Sequence, residues 1–131
     1  MLTPKRIYMQ EMLDAGVGTD DDVSENLADL RFINRRLGGA GIVLGALEKV
    51  IAGEKAGRLS LLDIGTGSAD IPNEVSRRWT SREIKSHIVA LDLSSRNLRV
   101  ARTRLGIEPG IELVQADALS LPFAPKSFDF V

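Results

Sequence analysis

Three times between Leu59 and Asp117 a short apolar run closes on an acid: "LSLLD", "HIVALD" and "IELVQAD". The first two runs are each followed by helical spacing, in Ile71, Val75 and Trp79 and then in Leu98, Ala101 and Leu105. Short apolar runs between turn residues read as buried strands, and recurrence every three or four residues reads as helix. Strands alternating with helices at this spacing require parallel pairing, because each crossover needs a dozen or more residues and a helix supplies them. The expected fold is therefore α/β, a doubly wound, Rossmann-like parallel sheet. A fourth run, "FDFV", starts at Phe128 and stops at Val131, shorter than the usual ~5 to 6 residues of a strand. That points to a fragment, incomplete at its C-terminus, whose last strand pairs beside the first. It would leave an apolar edge open to self-association.

The N-terminal part follows a different pattern. Residues 1 to 22 have no period and end in the acid run Asp20, Asp21, Asp22, which reads as a loosely ordered arm. Val23, Leu27, Leu30, Ile33 and Leu37 then mark one face of a helix, with Asp22 or Ser24 as N-cap and Gly38 and Gly39 as its end. Ile42, Val43, Leu47, Val50 and Ile51 mark a second helix, closing at Gly53 and the polar linker "GEKAGR". "LGGAGIV" looks superficially like a nucleotide loop, but it follows a helix and so reads as a helix break. The expected organisation is an arm and helical cap over 1–57 and a ligand-binding α/β domain over 58–131.

Composition narrows the chemistry. A net charge of −1 offers no general attraction to nucleic acid or anionic membrane, and no run approaches the ~20 apolar residues of a membrane span. A cytoplasmic chain is the expectation. With no cysteine and a single histidine, His87, thiolate chemistry and clustered-histidine metal sites are excluded. His87 opens a strand at the edge away from the strand-end acids, where packing is the expected role. Arg96, Arg99, Arg102 and Arg104, with Arg77, Arg78 and Arg82, lack interleaved aromatics and read as a solvated basic face, with no nucleic-acid partner expected.

In open α/β sheets ligands bind beyond the carboxyl ends of the strands. Asp63, Asp92 and Asp117 stand at that edge, and Gly65 and Gly67 follow the first strand directly. Missing side chains there allow a tight turn and close approach of a ligand to the backbone, although a glycine turn alone serves structure equally well. Asp92 follows Gly67 by 25 residues, near the ~20 expected of a carboxylate that takes ribose hydroxyls. A dinucleotide site needs G-x-G-x-x-G, and here Asp70 holds the third position, where its charge opposes a pyrophosphate. Asp70 itself reads as a helix N-cap. No G-K-[ST] follows, so a P-loop is excluded. A nucleoside without phosphates fits best.

"LLDIGTGSAD", "ALDLS" and "VQADALSLPFAPKSFDFV" together resemble the class I S-adenosylmethionine-dependent methyltransferases, above all the branch holding the ubiquinone/menaquinone methyltransferases and related small-molecule enzymes. The resemblance covers residues 59 to 131. It implies S-adenosyl-L-methionine as cofactor and a small organic molecule as methyl acceptor. The loop of Asp63, Gly65, Thr66 and Gly67 would wrap the methionine part, Asp92 would hold the ribose hydroxyls, and Leu93 would lie against the adenine. Asp117 would face the adenine amino group, with the Ala118 N–H on the ring. Two departures stand out: Ala69 where the family commonly has a third glycine, and the absence of the later strands that supply much of the acceptor pocket. No residue identifies itself as a general base and no metal ligand is implied. An NAD(P)-dependent oxidoreductase and a non-catalytic cofactor-binding fragment remain as alternatives.

Overall fold

The computed structural model describes residues 18–52 and 57–131. The arm expected over residues 1–22 lies outside them up to residue 17, as does the linker at 53–56. The acid run is not part of an arm: Asp20–Arg36 form helix α1, and Asp20, Asp21 and Asp22 are its first turn. Acids there offset the positive end of the helix dipole. The N-cap is Thr19, upstream of both expected candidates, and Asp22 completes a capping box. The Thr19 Oγ1 accepts from the Asp22 N–H, and the Asp22 carboxylate accepts from the Thr19 N–H.

Helix α1 yields to α2, Gly39–Ile51, through Gly38 in the left-handed region (φ 75°). Only Gly38 belongs to the break, since Gly39 already opens α2. The apolar faces are buried only in part: Val23 and Leu27 of α1 and Leu47 and Ile51 of α2 are in the core, whereas Leu37 and Ile42 are 76% and 72% exposed.

The rest is the expected alternation: β1 Arg58–Ile64, α3 Asp70–Ser81, β2 Lys85–Asp92, α4 Ser95–Val100 and β3 Ile111–Gln115. Ser94 caps α4 through its side chain. After Val100 the helix widens into a π-helical turn, Ala101–Leu105, ending at Gly106 (φ 80°). The buried Asn73 of α3 holds the chain that follows, donating to the Gly106 carbonyl and accepting from the Glu108 N–H.

The strands pair in parallel in the order β1-β2-β3. On the free side of β1, Phe130 makes a parallel bridge to Leu61, and Asp129 accepts from both the N–H and hydroxyl of Ser60. The expected fourth strand is thus a single bridge here. Its position makes the chain order reverse at β1, so the carboxyl end of that strand is the switch point where α/β sheets bind ligands. Both faces of the sheet are apolar, as parallel strands require. Leu59, Leu61, Ile88 and Ala90 pack with Val75 and Trp79 of α3 and with α2, while Leu62, Val89 and Leu91 pack with Phe123 and Phe128. His87 stacks on Phe128, with ring centroids 5.9 Å apart.

Of the seven arginines expected to form a solvated basic face, five are ion-paired among the described residues, while most stay well exposed. Arg96 and Arg99 bind Asp20, Arg104 binds Asp21, Arg77 binds Glu74 and Glu108, and Arg78 binds Glu48. Four of these arginines therefore tie the helical pair to the α/β unit.

Candidate functional site

At the carboxyl edge of the sheet lies a cleft of about 350 Å³. Its floor comes from strand ends: Ile64, Gly65 and Gly67 after β1, Leu91, Asp92 and Leu93 at β2, and Ala116, Asp117 and Ala118 after β3. Six of the eight residues singled out from sequence thus line one cavity. Asp63 and Thr66 are not among the lining residues. Thr66 is buried, and its Oγ1 makes no hydrogen bond of regular geometry.

The loop from Gly65 to Ala69 is strongly constrained. Gly65 and Gly67 take φ of 76° and 51°, where a side chain is strained, and Ala69 takes 55° despite its methyl. The Leu91 carbonyl accepts from the N–H groups of both Gly65 and Thr66, at 2.8 and 2.9 Å. Gly67 N–H donates to Asp92 Oδ2 at 2.8 Å.

Asp92, 8% exposed, is already engaged elsewhere: its Oδ1 accepts from Ser94 N–H at 2.9 Å and, more weakly, from Asn97 Nδ2 at 3.5 Å. A carboxylate offers about four acceptor sites. Counting Gly67, Ser94 and Asn97, one site is left, on Oδ2. The residue expected to receive a ribose also holds the glycine loop in place.

Asp63 differs electrostatically. Burial pushes its carboxyl above the ordinary carboxylate range; the nearby Thr66 hydroxyl opposes this, and the charges of Asp70 and Asp92 add to it. A carboxyl held back in this way gains from an arriving cation. Asp117 is exposed, with Oδ1 accepting from Leu119 N–H at 2.8 Å, and the N–H of Ala118 carries no hydrogen bond among the described residues. Leu93 is 64% exposed, an apolar surface on the cleft. The set therefore offers carboxylate acceptors, one open N–H and an apolar wall.

Asp70 is not the N-cap of α3. It is the first helical residue, after Ala69, and its carboxylate accepts from the Ser68 hydroxyl at 2.8 Å and from Asn34 Nδ2 of α1 at 3.2 Å. The sequence reading missed Leu27 and Leu30, which close one side of the cleft from α1, and Asn97. Leu27 and Leu30 were visible as one helical face, but nothing in that pattern says which part of the sheet the face meets. Among the described residues no group of three or more His, Asp or Glu could hold a metal ion, and no helix is long and apolar enough to cross a membrane.

Comparison with known proteins bears on the same region. Residues 61–131 match a family described as "Methyltransferase domain". A 2-phytyl-1,4-naphtoquinone methyltransferase of Thermosynechococcus vestitus is 39% identical over 67 residues, 51% of this chain and 28% of that protein. A ubiquinone/menaquinone biosynthesis C-methyltransferase of Ectopseudomonas oleovorans is 37% identical over 84 residues, 62% of this chain and 47% of that protein. This chain thus spans less than half the length of these relatives. Among solved structures, a protein of Listeria monocytogenes assigned as a class I S-adenosylmethionine-dependent methyltransferase superposes with a TM-score of 0.55 at 17% identity. That match covers 85% of this chain and 39% of the other. A Methanococcus maripaludis protein gives 0.53 at 20%, covering 76% and 44%. At such identities the likeness shows the fold alone, which agrees with the Rossmann-like sheet.

Proposed function

Because the chain belongs to the methyltransferase domain family over residues 61–131, we propose that it is the cofactor-binding part of an S-adenosylmethionine-dependent methyltransferase, with helix α1 forming one wall of the site. The carrying observation is the cleft that gathers Gly65, Gly67, Asp92, Leu93, Asp117 and Ala118 at three strand ends. In this reading Asp92 Oδ2 accepts one ribose hydroxyl, Leu93 covers a face of the adenine, and the Ala118 N–H and Asp117 meet its edge. The glycine loop carries the methionine part, whose ammonium the Asp63 carboxylate attracts.

S-adenosylmethionine would supply a methyl group already activated by its sulfonium, so the residues of this chain have to bind and orient more than to activate. Apolar Leu119, next in sequence to the lining residue Ala118 and 95% exposed, supports an apolar ring as acceptor. The relatives named for naphtoquinone and menaquinone make a prenylated quinone ring the first acceptor class to try.

Isothermal titration tests the cofactor assignment: S-adenosylmethionine binds and NAD does not, and binding of NAD alone would overturn it. Asp92→Ala is expected to cost at least ~1.5 to 3 kcal/mol of cofactor affinity, the usual loss for hydrogen bonds to a charged group, because it also frees the Gly67 N–H. An unchanged affinity would remove Asp92 from the site.

A further inference from the structure

Helix α1 reaches the glycine loop at two places. Leu27 Cδ2 lies 3.5 Å from where a Cβ on Gly67 would stand. Two turns later, on the same helical face, Asn34 Nδ2 donates to Asp70 Oδ2, and Asp70 Oδ1 in turn accepts from the Ser68 hydroxyl. Ser68 sits between two residues of positive φ, Gly67 and Ala69. The sheet holds the loop through Leu91 and Asp92. From the helix side, Ser68–Asp70 is the side-chain fastening found among the described residues.

We infer that Asn34 is a positioning residue that acts through Asp70 and Ser68 to set the glycine loop, making α1 a working part of the cleft. The inference about the ligand rests on the reading of the cleft as an S-adenosylmethionine site. The inference about the loop does not. The competing account is purely structural: a carboxylate in the first turn of α3 is stabilised by the helix dipole in any case, and Asn34 would then add only general stability.

Two measurements separate the accounts. In the free protein, Asn34→Ala should speed amide hydrogen exchange at Gly67 and Ala69 by about fivefold, the equivalent of roughly one hydrogen bond, while Val89 in the middle of β2 is unaffected. By titration, affinity for S-adenosylmethionine should fall by about the same factor. Affinity for adenosine, which lacks the methionine part, should change less than about twofold. The exchange Asn34→Asp with Asp70→Asn should restore both, because an amide at position 70 accepts from Ser68 through its oxygen and donates to the new carboxylate. Uniform or unchanged exchange in Asn34→Ala, equal losses for both ligands, or failure of the double exchange to restore would overturn the role of Asn34. If the unaltered protein binds no S-adenosylmethionine, the proposed function falls, and amide exchange still decides the role of Asn34.

Discussion

Asp63 and Ala69 are both held against their own preferences, one by burial and one by a positive φ. Burial raises the Asp63 carboxyl, so the folded state binds its proton more tightly than the unfolded chain does. The penalty is absent below the ordinary value near ~3.9. It grows as pH climbs toward the raised value and is complete above it, so stability falls with rising pH across that window. Asp63→Asn should therefore be more stable than the parent at pH 7 in urea unfolding, with the difference gone near pH ~3, and it should weaken S-adenosylmethionine binding. Ala69, fully buried at φ 55°, trades left-handed strain of roughly 1–2 kcal/mol against a methyl worth about 0.8 kcal/mol. Ala69→Gly should stay within about 1 kcal/mol of the parent. Ala69→Val adds a branched side chain to a filled, positive-φ position and should lose ~2 kcal/mol or more in the same unfolding experiment. The strand-end acids and both glycines were legible in the sequence because their spacing follows from the β-turn-α unit. The double duty of Asp92 was not, because it depends on the Gly67 N–H bending back across 25 residues.

Among the elements, the four helices could be read from their period and the three strands from short apolar runs between turn residues, both local properties. What each helix meets is not local. The stripe of Val23, Leu27, Leu30, Ile33 and Leu37 is a true helical face, yet it passes from core through cleft wall to open surface, with Leu30 and Ile33 near half exposed and Leu37 more so. The arginines of α4 and its π-helical extension read as solvated because their partners, Asp20 and Asp21, lie 76 to 83 residues away. The start of α1 lay inside what looked like an arm, although its signal, Thr19 three residues before Asp22, is local. Thr19→Ala should remove the capping box and cost about 1 kcal/mol, measured by thermal unfolding. If α1 is a wall of the cleft, that loss should be accompanied by weaker S-adenosylmethionine binding, although Thr19 does not line the cavity.

At the scale of the molecule, the sheet is held from one side by α3 and α2 and from the other by Phe123 and Phe128. Trp79, 1% exposed, joins the first layer to Phe130 at 6.2 Å between ring centroids. Trp79→Ala should cost about 3–5 kcal/mol and be the most damaging single truncation of the core. The wall of the cleft is attached partly by packing, Val23 and Leu27 of α1 against the buried Val100 of α4, and charge pairs add to this at the surface. Those pairs link α1 to α4 through Asp20 with Arg96 and Arg99, and to its π-helical extension through Asp21 with Arg104. Hydrogen bonds from Arg96 and Arg99 hold the Asp20 carboxyl below its ordinary value, so this support persists above that value and is lost in acid. Such pairs are also exposed to dissolved ions, whose screening length shrinks from about 8 Å at physiological strength to about 3 Å at 1 M. Added sodium chloride should therefore loosen the α1 wall as well as screen the attraction of Asp63 for an ammonium, so the ionic-strength dependence of binding would report on a helix as much as on the ligand.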